Sequence, residues 1–268
     1  MNLNIFCPTW GMDETDWRIK LQRIKDAGYD GVETGAPLDK DQCYLVKNLL
    51  EDLGLKLILQ QWTEGKDVQQ HKDSLLEQME RNVLLDPLFV NSQTGKDYFE
   101  HEDMIELLQY SNEVATGFDI EIYHETHRGR FAYSAHATAG YIDALPELLI
   151  TADFSHWCCV SESYLDDQKD DLAKAISRTR HIHARVGYPE GPQVTDPRAD
   201  EWKEALAHHL EWWDRIVDLN QRNGTVTITP EFGPVGYLHT LPFTNLPVAD
   251  QWDINCFVKD MLRERYLN

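Results

Sequence analysis

Residues 120–156 read IEIYHETHRGRFAYSAHATAGYIDALPELLITADFSH, and this stretch decides the fold. Ile120–Glu125 is a short apolar run that reads as a strand. Ser134–Leu145 has helical spacing, with Ser134 placed to cap the first turn. Leu148–Phe154 is a second short apolar run. Strand, helix and strand in that order make a parallel βαβ unit with a right-handed crossover. Both strands run out into acids and imidazoles, His124-Glu125-Thr126-His127 and Asp153-Phe154-Ser155-His156.

The same alternation extends to both ends of the chain. Further strands are expected at Leu3–Cys7, Gly31–Thr34, Leu55–Gln60, Leu88–Ser92, His181–Val186 and Thr225–Glu231. Helices are expected at Asp16–Ala27, Asp39–Asp52, Val68–Leu84, Glu102–Ala115, Asp167–Arg178 and Asp200–Asn223, with a last one inside Val248–Tyr266. Gly28, Gly54 and Gly224 fall where helices close. Eight strand–helix pairs imply a parallel sheet, and eight strands let it close. The expected fold is an α/β protein, a single-domain (β/α)8 TIM barrel spanning 1–268, since one such barrel takes about 250 residues. An open doubly wound sheet would carry a glycine-rich turn after its first strand. Pro8-Thr9-Trp10-Gly11 is not such a turn.

Hydrophobic residues at 42% and charged residues at 26% are ordinary for a soluble globular protein. Lys plus Arg is 25 against 46 for Asp plus Glu, a formal charge of −21. That field repels polyanions, and no basic run offsets it, so no nucleic-acid partner is expected. No apolar run approaches the ~20 residues of a membrane span, and Met1 to Trp10 lacks the basic start of a signal peptide. The five cysteines include the adjacent pair Cys158-Cys159 and no CxxC, which suits reduced thiols in the cytoplasm. Trp212-Trp213, with Leu210 and Ile216, reads as packing on the long helix.

In a barrel of this type chemistry sits at the C-terminal ends of the strands. The last four expected strands deliver Glu125, Asp153, His183 and Glu231 to that rim. Neighbouring strands are about 4.8 Å apart, so these groups can converge. Carboxylates crowded together are costly unless a cation joins them. Three carboxylates and one imidazole suit one divalent metal ion, Mn²⁺, Mg²⁺, Co²⁺ or Zn²⁺, with positions left for substrate oxygens.

With these motifs, Ile182-His183-Ala184-Arg185, Pro230-Glu231 and its overall layout, the chain resembles the xylose-isomerase-like superfamily. That superfamily includes sugar isomerases, ketose 3-epimerases, hydroxypyruvate isomerase, inosose dehydratase and the endonuclease IV branch. The resemblance implies that Glu125, Asp153, His183 and Glu231 hold one metal and that His156 contacts substrate. It makes Arg185 a candidate substrate contact, although Arg185 follows His183 more closely than the corresponding arginine does in the ketose epimerases. The extra histidines of the endonuclease branch are absent. Gln60-Gln61-Trp62 and Asn91-Ser92-Gln93 stand at two of those places, and Asp196-Pro197-Arg198 has Arg where its later D-x-H pair has His.

The expected reaction is proton transfer on a small sugar or keto-sugar, with the metal polarising a carbonyl and stabilising an enediolate. Glu125 and Glu231 flank the ligand arc, so one can remove a proton and the other return it on the opposite face, giving epimerisation. Return to the neighbouring carbon gives isomerisation, and loss of a β-hydroxyl gives dehydration by a lyase. The four ligands do not choose among these, and the oligomeric state stays open. Only one of His124 and His127 can share the side of Glu125 if the strand persists, and His127 is a candidate substrate contact. Arg128 and Arg130 either grip a carboxylate or phosphate or pair with local acids. Trp10, Trp62, Phe154 and Trp157 are candidates for an apolar wall, with plain packing the alternative. Gly191-Pro192 and Gly233-Pro234-Val235-Gly236 read as rim loops.

Overall fold

The computed structural model describes residues 2–13 and 16–267. Met1, Glu14, Thr15 and Asn268, which the expected single domain includes, lie outside the described residues. Eight parallel strands close into a barrel in chain order. They are β1 (Asn2–Pro8), β2 (Gly31–Gly35), β3 (Lys56–Trp62), β4 (Val90–Gln93), β5 (Ile122–Glu125), β6 (Ile150–Ala152), β7 (Thr179–His183) and β8 (Thr225–Thr229). Closure is made by β1 on β8, from Asn2 opposite Thr225 to Ile5 opposite Ile228. The described helices are α1 (Trp17–Asp26), α2 (Lys40–Leu53), α3 (Val68–Asn82), α4 (His101–Phe118), α5 (Ala135–Ala144), α6 (Ser155–Val160), α7 (Lys169–Arg178), α8 (Lys203–Asn220) and α9 (Gln251–Leu267).

Helix α2 shows how the sequence specifies the ring. Asp39 caps it by accepting from the Gln42 amide at 3.0 Å. Cys43, Val46, Leu49 and Leu50 form its buried stripe, and Gly54 ends it at φ 61°. The main core of such stripes lies between helices and strands. A second, smaller cluster of Phe6, Ile58, Phe89 and Tyr123 fills the barrel itself. The ring of His181 joins it, 6.4 Å from Phe6 and 5.2 Å from Phe89. Side chains alternate along a strand, so the next inward positions on β3, β5 and β7 are Gln60, Glu125 and His183. An apolar floor thus underlies a polar mouth.

Three strands stop short of expectation. β6, β7 and β8 end at Ala152, His183 and Thr229, so Phe154, Val186 and Glu231 lie beyond the ladder. Phe154, Ala184, Val186 and Phe232 are buried all the same. Their apolar character reflects loops packed into the rim, which the sequence pattern does not separate from strand. Helix α6 is unexpected for the same reason, because Ser155–Val160 continues the apolar run of β6. The ends of the long eighth helix are 3-10 turns, Asp200–Trp202 and Gln221–Asn223. No disulfide joins any of the five cysteines. No described helix is long and apolar enough to cross a membrane.

Candidate metal centre

Glu125 closes β5, Asp153 directly follows β6, His183 closes β7, and Glu231 stands two residues past β8. One ligand atom from each lies within 4.8 Å of all the others. The four side chains are buried. His183 stands at the centre. Its Nδ1 is 2.8 Å from Glu231 Oε2 and 3.8 Å from Glu125 Oε1. Both His183 Nδ1 and Glu231 Oε2 are buried without a hydrogen-bond partner among the described residues. A buried ring nitrogen facing a buried carboxylate oxygen is costly unless a proton or a cation bridges them. A divalent cation does so, and this donor set fits one.

The opposite ring nitrogen is committed. His183 Nε2 donates to Glu33 Oε1 at 2.8 Å, which leaves Nδ1 for the cation side. Glu33, from the middle of β2, is fully enclosed. It accepts from Asn91 at 3.1 Å, Gln60 at 3.2 Å and His181 at 3.1 Å, and closely from Thr229 Oγ1. Gln60 also donates to Glu231 at 3.2 Å, while Asn91 and Gln93 donate to Glu125 at 3.1 and 3.2 Å. Amides from β3 and β4 therefore hold the two carboxylates on their outer sides.

Arg185 is the resident positive charge. Its Nη2 bonds closely to Asp153 Oδ2 and lies 3.5 Å from Glu231. Gly187 permits this, since a Cβ there would stand 2.6 Å from the Ser155 carbonyl oxygen and 2.7 Å from its Cα. The loop after β7 therefore runs against the start of α6 and lays Arg185 across Asp153. Burial raises the carboxyl pKa of Glu125 to about 8, helped by the charges of Glu231 and Asp153. Burial pushes Glu231 the same way, but His183 and Arg185 outweigh it and lower its pKa. Burial opposes charge on His183, yet Glu231, Glu33 and Glu125 raise its pKa well above the usual imidazole value. Metal-free, the cluster thus holds protons where a cation would sit.

Over these groups opens a cavity of about 420 Å³, lined in part by Trp10, Trp62, His127, Arg185, Gln93 and Tyr237. Four of the expected substrate contacts, Trp10, Trp62, His127 and Arg185, meet there. Two do not line it. His156 is fully buried behind His127, ring centres 3.9 Å apart, and its Nε2 accepts from Arg185 at 3.0 Å. Arg128 stacks behind the Tyr237 ring at 5.0 Å. Arg130 takes neither expected role, since its Nη1 donates to the Thr63 and Gly95 carbonyls at 2.8 and 3.2 Å. Phe154 and Trp157 are packing, stacked at 4.6 Å and buried. His124 faces away from Glu125 and bonds Thr94 at 2.8 Å.

Sequence reasoning missed Glu33, His181 and Tyr237. A lone carboxylate inside the short strand of residues 31–35 was the available signal for Glu33, because unpaired acids are rare in buried strands. Tyr237 carried no such signal. It comes from the loop after β8, its ring 5.1 Å from Trp10 and 4.6 Å from the Arg185 guanidinium, its hydroxyl 3.4 Å from His127 Nε2.

Similar folds occur in known structures. The probable 3-DHS dehydratase AsbF of Bacillus anthracis superposes with a TM-score of 0.63 at 15% identity, covering 98% of each chain. The 3-keto-D-glucoside 4-epimerase YcjR of E. coli gives 0.64 at 13% identity, over 98% of this chain and 100% of that one. A xylose isomerase-like TIM barrel protein from Mycobacterium smegmatis, in complex with magnesium, gives 0.59 at 12% identity over 87% and 91%. At such identities the likeness is one of fold. Among curated proteins no sequence is significantly similar. A family model matches residues 21–192, and by that match the chain belongs to the xylose isomerase-like TIM barrel family.

Proposed function

We propose that the protein is a divalent-metal-dependent isomerase or epimerase of a small sugar or keto-sugar. The observation that carries this reading is the convergence of Glu125, Asp153, His183 and Glu231 on one point beneath an open cavity. One ion of Mn²⁺, Mg²⁺, Co²⁺ or Zn²⁺ would be held by these four, and when bound it supplies Lewis-acid polarisation of a substrate carbonyl.

The remaining steps belong to the chain. Glu231, held ionised by His183 and Arg185, accepts the proton from the carbon beside the carbonyl. Glu125 returns a proton to the opposite face. Gln60 and Gln93 keep the two carboxylates apart and correctly turned, through the hydrogen bonds each already makes. His127, Arg185 and Tyr237 orient substrate hydroxyls, and Trp10 and Trp62 flank the ring. His156 acts through Arg185. Neutral amides stand where the endonuclease branch has histidines, and with the charge of −21 this argues against a nucleic-acid substrate. Five cysteines without a disulfide support a reducing, cytoplasmic location.

The test is hydrogen exchange in D₂O with added Mn²⁺ across a panel of keto-sugars and inosose. Deuterium entering one carbon beside a carbonyl is the expected result, and Glu231→Gln should slow it by about 10² to 10⁴-fold. A product lighter by one water would assign the lyase outcome instead. No exchange with any member, or exchange by Glu231→Gln at the wild-type rate, would overturn the reading.

A further inference from the structure

A second hollow of about 320 Å³ adjoins the mouth cavity, sharing Gly35, Gln60 and Trp62 with it. We propose that the substrate is a glycoside or disaccharide, with its reacting ring over Glu125 and Glu231 and a second, uncharged sugar unit beyond Trp62. This rests on the sugar-enzyme reading above.

The partition between the hollows is built, not incidental. The Trp62 amide donates to Gln78 Oε1 at 3.1 Å, and the Trp62 carbonyl accepts from Gln78 Nε2 at 2.7 Å. The indole leans on Gly35, where a Cβ would come within 3.2 Å of the ring. Gln78 therefore fixes the Trp62 backbone and Gly35 backs one side of the indole, while the residue remains 36% exposed. A rigid aromatic face left open to solvent at the junction of two hollows suits the apolar face of a sugar ring. Leu38, 84% exposed, adds an unpacked apolar surface to the outer hollow.

Arg81 supplies the polar end. Its Nη1 lies a loose 3.8 Å from the exposed Glu77, its Nε is buried without a hydrogen-bond partner among the described residues, and the side chain lines the outer hollow. It does not make a phosphate site, because Glu64 and Glu77 line the same hollow. One cation beside two carboxylates, on a chain of charge −21, repels a dianion but can donate to a hydroxyl or ring oxygen. Arg130, the other nearby candidate for a phosphate, is spent on backbone carbonyls.

The experiment is calorimetric titration of the full chain with a panel of free hexoses, their 6-phosphates, and disaccharides and aryl glycosides of both anomeric linkages. At least one glycoside should bind about tenfold or more tighter than its own free hexose, a difference of about 1.4 kcal/mol. No hexose 6-phosphate should show such a gain. Arg81→Gln and, separately, Leu38→Asp should each bring the glycoside-to-hexose ratio toward one, with urea midpoints matching wild type to show that they fold. No glycoside gain across the panel, a gain for the phosphates, or a gain that survives both substitutions would overturn the proposal. Binding reports the outer hollow without any turnover. Proton exchange without a glycoside preference sinks this inference alone, whereas absence of exchange sinks the reading of the chemistry.

Discussion

Glu33 and His183 are joined at 2.8 Å through Nε2, so the imidazole turns its other nitrogen toward Glu231 and the candidate cation position. The link fixes both the tautomer and the angle of the ring. Glu33→Gln keeps the shape but can present its NH₂ to Nε2 and reverse the tautomer. It should weaken Mn²⁺ binding about 10- to 100-fold, read by calorimetry on metal-stripped protein. Wild-type affinity in this variant would show that the ring needs no such anchor.

Arg185 neutralises the acids in the absence of metal, and removing it exposes their repulsion. Arg185→Ala leaves Asp153 buried without its cation and Glu231 with His183 as its one remaining cationic neighbour. In EDTA the variant should lose about 3–5 kcal/mol of stability. Mn²⁺ at 100 times its Kd should return about 2.7 kcal/mol. Urea midpoints with and without metal measure both. If EDTA and Mn²⁺ give the same midpoint, no cation joins these carboxylates.

The Glu125 carboxyl carries a pH signature in the metal-free protein. Burial raises its pKa from 4.5 to about 8. Its contribution is fully present below the unfolded value and is lost as pH rises through the folded one, because the unfolded chain releases this proton first. The share of this one group in the stability in EDTA should therefore fall by a few kcal/mol between pH 4.5 and 8, against the opposite trend of the buried neutral histidines. Denaturation at pH 5, 6.5 and 8 should show that fall as the difference between wild type and Glu125→Gln. A difference that does not change with pH would assign the proton to another group.

How much of this was legible follows from what each residue does. The barrel could be read because strand and helix differ in period and both periods recur eight times. Glu125, Asp153 and Glu231 could be read because acids at the ends of apolar runs have no packing role. Arg185 could be read from its motif, but not its contact with Asp153, which depends on Gly187 meeting Ser155 across a gap in sequence. Glu33 lay on a strand outside the four that carried the pattern, and its function exists only through His183. Arg128 and His156 are expected as substrate contacts from their motifs, but nothing in spacing tells that Tyr237 and His127 stand in front of them. The burial of Phe154 and Trp157 follows from α6, whose start the apolar run concealed.

The loop that carries Arg185 is held from behind by His209, and that contact can be tested by acid. The Gly187 amide donates to His209 Nε2 at 3.2 Å, while His209 Nδ1 donates to the Ala205 carbonyl at 2.8 Å. One nitrogen accepts and the other donates, so the ring must be neutral. Burial accordingly lowers its pKa to about 4. A histidine with a depressed folded pKa contributes stability that is present above its unfolded pKa of about 6.5 and is lost as pH falls through the folded value. The share of this one group is on the order of 3 kcal/mol. Other buried histidines, among them His124, respond in the same direction and Glu125 in the opposite one, so the reading is the difference between wild type and variant. His209→Gln should lose about 3 kcal/mol less between pH 7 and 4, while starting about 1–3 kcal/mol lower at pH 7 because the flexible Gln side chain lacks the ring's packing and its fixed acceptor for the Gly187 amide. Gly187→Ala tests the same contact from the other side. Its methyl group meets the backbone of Ser155, and overpacking of that kind costs about 1–3 kcal/mol. Because the methyl group displaces the loop rather than the imidazole, Gly187→Ala should also weaken Mn²⁺ binding. Equal acid sensitivity in wild type and His209→Gln, measured by urea midpoints at pH 7, 5.5 and 4, would remove His209 from the support of the site.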